Sequence, residues 1–335
     1  MRHGELASEL IRCLRGKRSQ AQLSRRLGYR SNIVQRWETQ RCWPTAAEFL
    51  ALFERSGRSA AASYRAFLGA EPTFLAGNAA ASRQGVAAFL SHVRGGTAIV
   101  ELAASTGFSR FSIGRWLKAE AEPRLPEFLT LIDATSLRLL DYVATLVDPA
   151  KLASASESWQ SLESARSAAY DKPWSHVVLR ALELPERPTA TKTTRWLAAR
   201  FGLSEQAATE ALELLAASGQ IERRQGKWRV RDVQAVDTRA DPKRSRQVRA
   251  YWLRVAHARL EAGIEGVYGF NLMAVSARDV PRLRELHASY YREMQALVAA
   301  SEPAERVVLF CTQLLGLEVE TDVAATPGAL WPAVK

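Results

Sequence analysis

Nine side chains with the chemistry to hold a polyanion fall inside 25 consecutive residues: Lys17, Arg18, Gln20, Arg25, Arg30, Ser31, Asn32, Arg36 and Arg41. Ammonium and guanidinium groups neutralise phosphates, and binding of that kind falls steeply with added salt. Asn and Arg can do more, because each matches the donor and acceptor pattern of one base edge, Asn an adenine and Arg a guanine. The whole chain carries 46 Lys+Arg against 35 Asp+Glu, a net +11 over 335 residues. Residues 1–70 hold 13 basic and 5 acidic side chains, whereas 71–150 hold 7 and 8. The positive excess is therefore local, as a nucleic-acid footprint is, and not a property of the whole surface.

Catalytic and metal chemistry find no comparable concentration. His3, His92, His176, His257 and His287 lie in different expected elements, and none forms His-Glu-x-x-His. Cys13, Cys42 and Cys311 contain no Cys-x-x-Cys pair, which argues against a structural zinc site or a disulfide framework and fits a reducing cytoplasm. Phosphate-binding Gly-x-x-x-x-Gly-Lys-Ser/Thr, dinucleotide-binding Gly-x-Gly-x-x-Gly and Gly-x-Ser-x-Gly patterns do not occur. The expectation is a protein that is not an enzyme and needs no cofactor and no metal. The N-terminus lacks the apolar core of a signal peptide and no later run reaches membrane-spanning length, so a cytoplasmic location without membrane contact is expected.

Positioning such side chains requires short, rigid elements, and the sequence repeats a set of them. Shifted by 79 residues, 12–53 aligns with 91–132 without a gap, with eleven identities in 42 positions. They include Arg15/Arg94, Gly16/Gly95, Leu23/Leu102, Gly28/Gly107, Arg36/Arg115, Trp37/Trp116 and Pro44/Pro123. Each copy reads as consecutive short helices, in the first around Leu6–Leu14, Gln20–Leu27, Ser31–Thr39 and Thr45–Arg55. Gly28 and Gly107 supply the turn, and Trp37 and Trp116 supply a large apolar anchor on the inner face of the third helix.

The run from Ser19 to Glu38 followed by Pro44 resembles the helix-turn-helix of phage repressors and Xre-type regulators. In that family the third helix enters the major groove with its N-terminal side chains on base edges. The resemblance implies base contacts from Ser31, Asn32 and Arg36, and phosphate contacts from Lys17, Arg18, Gln20, Arg25, Arg30 and Arg41. The second copy is diverged, with Ile99 in place of Gln20 and Phe111 in place of Asn32. Arg110, Arg115 and Lys118 remain for DNA contact, with packing or dimerisation as the other use of that copy.

Further along, 148–172 reads as a helical linker and 173–233 as three helices and a basic hairpin, which is similar to winged-helix regulators. Its wing offers Arg223, Arg224 and Lys227 to a phosphate backbone, while Glu205, Glu210 and Glu213 on the would-be recognition helix oppose that use. After a basic connector, 241–246, come a helix from about Gln247 to Ala262, a strand Tyr268–Val275, a helix Asp279–Ala299 with a buried stripe, and a strand Arg306–Leu317. The tail from Ala324 is expected to be loosely held.

The expected fold is mainly α: tandem four- to five-helix helix-turn-helix domains at 1–70 and 80–147, a winged helix, and a small α+β C-terminal domain at 240–320 that oligomerises or senses an effector. This order is similar to an uncharacterised bacterial family described only as regulators. The expected function is a sequence-specific transcriptional regulator or repressor, a homodimer on double-stranded DNA. The alternative is a protein-binding adaptor or antitoxin-like factor that uses helix-turn-helix folds without reading DNA.

Overall fold

Local chemistry fixes the ends of several short helices of the repeats. Ser19 and Thr45 cap the helices that follow them, and Gln22 and Glu48 reach back to close capping boxes. The left-handed turn after the second helix falls on Gly28 (φ +84°) and Gly107 (φ +75°), where a side chain would be strained. The computed structural model describes residues 2–69, 71–185, 192–231, 236–299 and 301–317. Among them are sixteen α-helices and one two-stranded antiparallel sheet, a mainly α fold.

The first repeat comprises α1 (His3–Arg15), α2 (Gln20–Arg26), α3 (Ile33–Glu38), α4 (Ala46–Arg55) and α5 (Ala60–Leu68). The second comprises α6 (Arg83–Arg94), α7 (Ile99–Thr106), α8 (Arg110–Leu117), α9 (Leu125–Ser136) and α10 (Leu139–Leu146). The correspondence at 79 residues thus extends beyond the aligned segment to five helices. It reaches the loops as well. Gln40 and Ala119 both take positive φ (62° and 57°), and the Arg36 and Arg115 carbonyls accept N–H groups from Arg41 and Glu120, each at 2.9 Å.

The two repeats share one hydrophobic core rather than having one each. Leu10, Ile11, Trp37, Phe49 and Phe53 run continuously into Phe89, Phe128, Ile132 and Tyr142. Tyr64 of α5 stacks on Phe89 of α6 with ring centroids 3.9 Å apart, and Phe67 meets Tyr142 of α10 edge-on at 5.6 Å. Such contacts add to the large apolar area these rings bury.

The stretch 148–172 is more than a tether. Its helix α11 (Ser156–Asp171) buries Leu162, Ala165, Arg166, Ala168 and Ala169. It is followed by α12 (Ser175–Glu183), α13 (Thr194–Phe201), α14 (Glu205–Ala217), β1 (Ile221–Arg224) and β2 (Lys227–Val230). Val178, Leu179, Leu182, Leu197, Leu212, Leu215 and Ile221 form a second core there. The hairpin pairs Ile221 with Val230 and Arg224 with Lys227, and both turn residues, Gln225 and Gly226, have positive φ, as a tight two-residue hairpin loop requires.

A buried ionic cluster ties this second part to the repeats. Arg166 of α11, 3% exposed, donates to Asp141 of α10 (2.6 Å), to the backbone carbonyl of Asp237 (2.8 Å) and to Glu163. Arg138 pairs with the same Asp141 (3.3 Å) and with Asp237, and donates to the Phe67 carbonyl at 3.2 Å. Burial raises the Asp141 carboxyl above its ordinary range despite both arginines. Burial also acts to raise Asp237, but the Arg239 hydrogen bond and the nearby Arg138 and Arg239 charges hold it below that range.

The C-terminal part departs from expectation. The basic run 241–246 is the opening of α15 (Pro242–Glu261): the Asp241 carboxylate accepts the Lys243 and Arg244 N–H groups at 2.9 and 3.0 Å, and Pro242 takes the first helical position. Helix α16 (Val280–Ala299) forms as expected, but the residues meant as its buried stripe are not buried, Leu286, Tyr290 and Leu297 being exposed. The segments 268–275 and 306–317 are not strands. A strand is made by its neighbour's hydrogen bonds, and neither segment pairs with another. The described sheet therefore lies wholly in the hairpin at 221–230. The last residues of the expected 240–320 domain, the end of 173–233 and the tail from Ala324 lie outside the described residues. Among the described residues no helix is long and apolar enough to cross a membrane.

Candidate nucleic-acid interface

Helix α3 has six residues, too few to be stable alone, so tertiary contacts hold it. Trp37, 4% exposed, and Val34 fasten its inner side, with Tyr29 meeting Trp37 edge-on at 5.9 Å and 84°. The second repeat reproduces this with Phe108 and Trp116 at 5.4 Å and 85°. The end of α3 is held by a buried carboxylate. Glu38, 5% exposed, accepts from Arg15 Nε at 2.5 Å and from Gln20 Nε2 at 2.7 Å, and the Glu38 carbonyl accepts from Arg12 at 3.0 Å.

Gln20 takes part in this network: its amide donates to Glu38 and braces α2 against α3, which engages one of its two N–H donors. Asn32 is engaged within the protein too. Its Oδ1 caps α3, accepting from Gln35 N (3.3 Å) and from Ser24 Oγ (3.1 Å). A bidentate contact with adenine needs both the oxygen and the nitrogen of the amide, and the oxygen is already engaged. Sequence reasoning missed the Arg15–Glu38–Gln20 set, whose members stand 18 and 23 positions apart and form no local pattern.

The remaining expected contacts are exposed to solvent: Ser31 and Arg36 on and beside α3, and Lys17, Arg18, Arg25, Arg30 and Arg41 in α2 and the loops that flank α2 and α3. None of these cations is in an ion pair among the described residues. Six unneutralised positive charges around a short helix are what a phosphate backbone would neutralise.

In the second repeat Arg110, Arg115 and Lys118 are likewise exposed. Phe111, at the position of Asn32, is 74% exposed, and the Arg115 guanidinium lies over its ring at 5.6 Å. The buried carboxylate is gone, because Leu117 stands where Glu38 does and Ile99 where Gln20 does. Arg94, the counterpart of Arg15, still donates to a carbonyl (Thr97, 2.9 Å), but its buried Nε has no partner.

The comparison of repeats gives a test. Glu38→Ala is expected to destabilise the chain by about 3 kcal/mol, since it strands Arg15 and the Gln20 amide. Arg15→Met with Glu38→Leu should recover most of that loss. Urea unfolding of the three proteins checks this, and a double variant no more stable than Glu38→Ala alone would contradict it.

The wing is less prepared for DNA. Arg224 is paired with Glu222 of its own strand, and Arg223 lies over the Trp228 ring at 5.7 Å. Lys227, Arg223 and Trp228 line a cleft of about 180 Å³ with Lys192, Thr193 and Thr194. Outward on α14 are Glu205 and Glu213, while Glu210 is bound by Lys172. Those carboxylates would oppose the approach of phosphate to α14.

The histidines do not converge. His3 meets Asp133 (3.0 Å), His257 meets Glu261 (3.6 Å), His287 meets Thr312 (2.7 Å), and His92 lies against Phe74. Burial pushes His176 down to about 4, so its ring is neutral at pH 7. Among the described residues no group of three or more His, Cys, Asp or Glu side chains could hold a metal ion.

No curated protein and no solved structure matches the chain. Residues 153–317 match a family described as Domain of unknown function (DUF4423), just under half of the chain. The match takes in α11 to α16 and the hairpin as one stretch and leaves both repeats outside it.

Proposed function

We propose that the chain is a cytoplasmic, sequence-specific DNA-binding transcriptional regulator that docks α3 in a major groove of double-stranded DNA. The observation that carries the reading is the exposed surface of α3, where Arg36 stands among five cations that no acidic side chain neutralises. Arg36 is the base reader, suited to guanine, with Ser31 beside it. Lys17, Arg18, Arg25, Arg30 and Arg41 hold the backbone on either side. Asn32 serves indirectly, by fixing the start of the helix that carries Arg36. The C-terminal part from 240 is assigned to self-association or to coupling an effector signal, on the strength of apolar side chains left exposed there, among them Val267, Phe270, Leu272 and Val308.

Selection of bound duplexes from a random pool tests the reading. The full chain should enrich a motif, and Arg36→Ala should lose about 1–3 kcal/mol of specific binding while relaxing one base preference. Asn32→Ala should instead lower stability by about 1 kcal/mol through loss of the cap. Equal losses of Arg36→Ala on specific and random DNA would contradict base reading, and binding that ignores salt would favour a protein-binding adaptor.

A further inference from the structure

The two repeats meet through a reciprocal backbone contact at matching loops. Ala46 donates its N–H to the Pro123 carbonyl at 2.9 Å, and Leu125 donates to the Pro44 carbonyl at 2.9 Å. Between them Thr45 and Arg124 form an antiparallel bridge. Positions 44, 45 and 46 plus 79 are 123, 124 and 125, so the counterparts of the pair Ala46–Pro123 are Leu125 and Pro44, which make the same bond in the opposite direction. That reciprocity defines the isologous contact of a twofold dimer. Here both halves belong to one chain. A second contact has the same property, since α5 packs on α10, its own counterpart. The turn glycines, the Tyr29–Trp37 and Phe108–Trp116 pairs and the loops after α3 and α8 recur in both units.

A twofold pair of helix-turn-helix units reads two half-sites. In an ordinary dimer the halves are identical and the site is a palindrome. In this chain they differ at the helix that matters. Arg115 repeats Arg36, but Phe111 replaces Asn32, Arg110 replaces Ser31 and Lys118 replaces Thr39. All four are exposed, and the packing between repeats uses α1, α4, α5, α6, α9 and α10. An aromatic ring 74% exposed at the start of α8 adds nothing to the core, and an apolar side chain at that position suits a thymine methyl.

We propose that one chain, acting as a single-chain pseudodimer, occupies one duplex site composed of two unlike half-sites, with α3 on the first and α8 on the second. The inference rests on the DNA-binding reading above and adds that no second copy is needed to complete the site. Self-association through the C-terminal part then joins two complete sites rather than two halves of one.

The test uses the full chain and the duplex carrying the motif enriched from a random pool. Titrated at concentrations far above the dissociation constant, binding should saturate at one duplex per chain, and the motif should contain two different half-motifs. Arg115→Ala, at an exposed residue, should weaken binding about 5- to 150-fold and erase preference in one half only, while Arg36→Ala erases the other. Saturation at one duplex per two chains with a palindromic motif, or an Arg115→Ala protein with unchanged affinity and motif, would overturn the pseudodimer and leave DNA reading by α3 intact. No enrichment by the wild-type chain would overturn the DNA-binding reading itself.

Discussion

Arg166→Met is expected to destabilise the protein by about 3–5 kcal/mol, the cost of breaking a buried ion pair from one side. Arg166 is 3% exposed and its guanidinium serves Asp141, Glu163 and the Asp237 carbonyl, besides lying over Trp159 at 5.5 Å. Methionine fills similar volume, so packing alone does not account for a loss of that size. What remains is Asp141, half-buried and already raised in pKa, with Arg138 shared between it and Asp237. Asp141→Asn in the Arg166→Met background should recover part of the loss, because it removes the stranded charge. Urea unfolding of the double-mutant cycle measures the coupling. Additive effects of the two substitutions would show that the cluster does not act as a unit. The cluster joins α10, α11 and the segment before α15, so its loss should also let the repeats and the 153–317 region separate more easily under limited proteolysis.

Trp37→Ala should lower stability by a similar amount, about 3–5 kcal/mol. The ring is 4% exposed and edge-on to Tyr29, and it is the principal apolar anchor of a six-residue helix. Because α3 cannot persist unaided, the loss falls on the helix that carries Arg36, and DNA affinity should drop beyond what stability alone predicts. Trp116→Ala should act in the same way on α8. Thermal and denaturant unfolding check both, and a Trp37→Ala protein within about 0.5 kcal/mol of wild type would mean that the ring is not the anchor.

The repeats were legible because their evidence is periodic: leucines at helical spacing, a turn glycine and a tryptophan, all recurring 79 positions later. The cap made by Asn32 was also readable, since Asn immediately before a helix start is among the preferred N-caps. Its place in the helix-turn-helix pattern drew attention to base edges instead. The Asp241-Pro242 start of α15 carried a similar signal. Other features left no trace in residue type. The reciprocal bonds at 44–46 and 123–125 are made by backbone groups, which every residue but proline carries in full. The strands expected at 268–275 and 306–317 rested on short apolar runs, a pattern shared by segments that never find a pairing partner.

The crossing of 44–46 with 123–125 also sets a timetable for synthesis. Helix α1 buries Leu6, Leu10 and Ile11 in a core completed by α9, which leaves the ribosome more than a hundred residues later. The first repeat emerges with its own turn and tryptophan in place, yet the partner surface trails it by 79 residues. At about 5–20 residues per second that delay is about 4–16 s, during which a nascent chain holds apolar surface open to solvent and to chaperones. Two separately translated copies would have to find each other by diffusion, whereas here the partner arrives on the same polypeptide at an interval written into the gene.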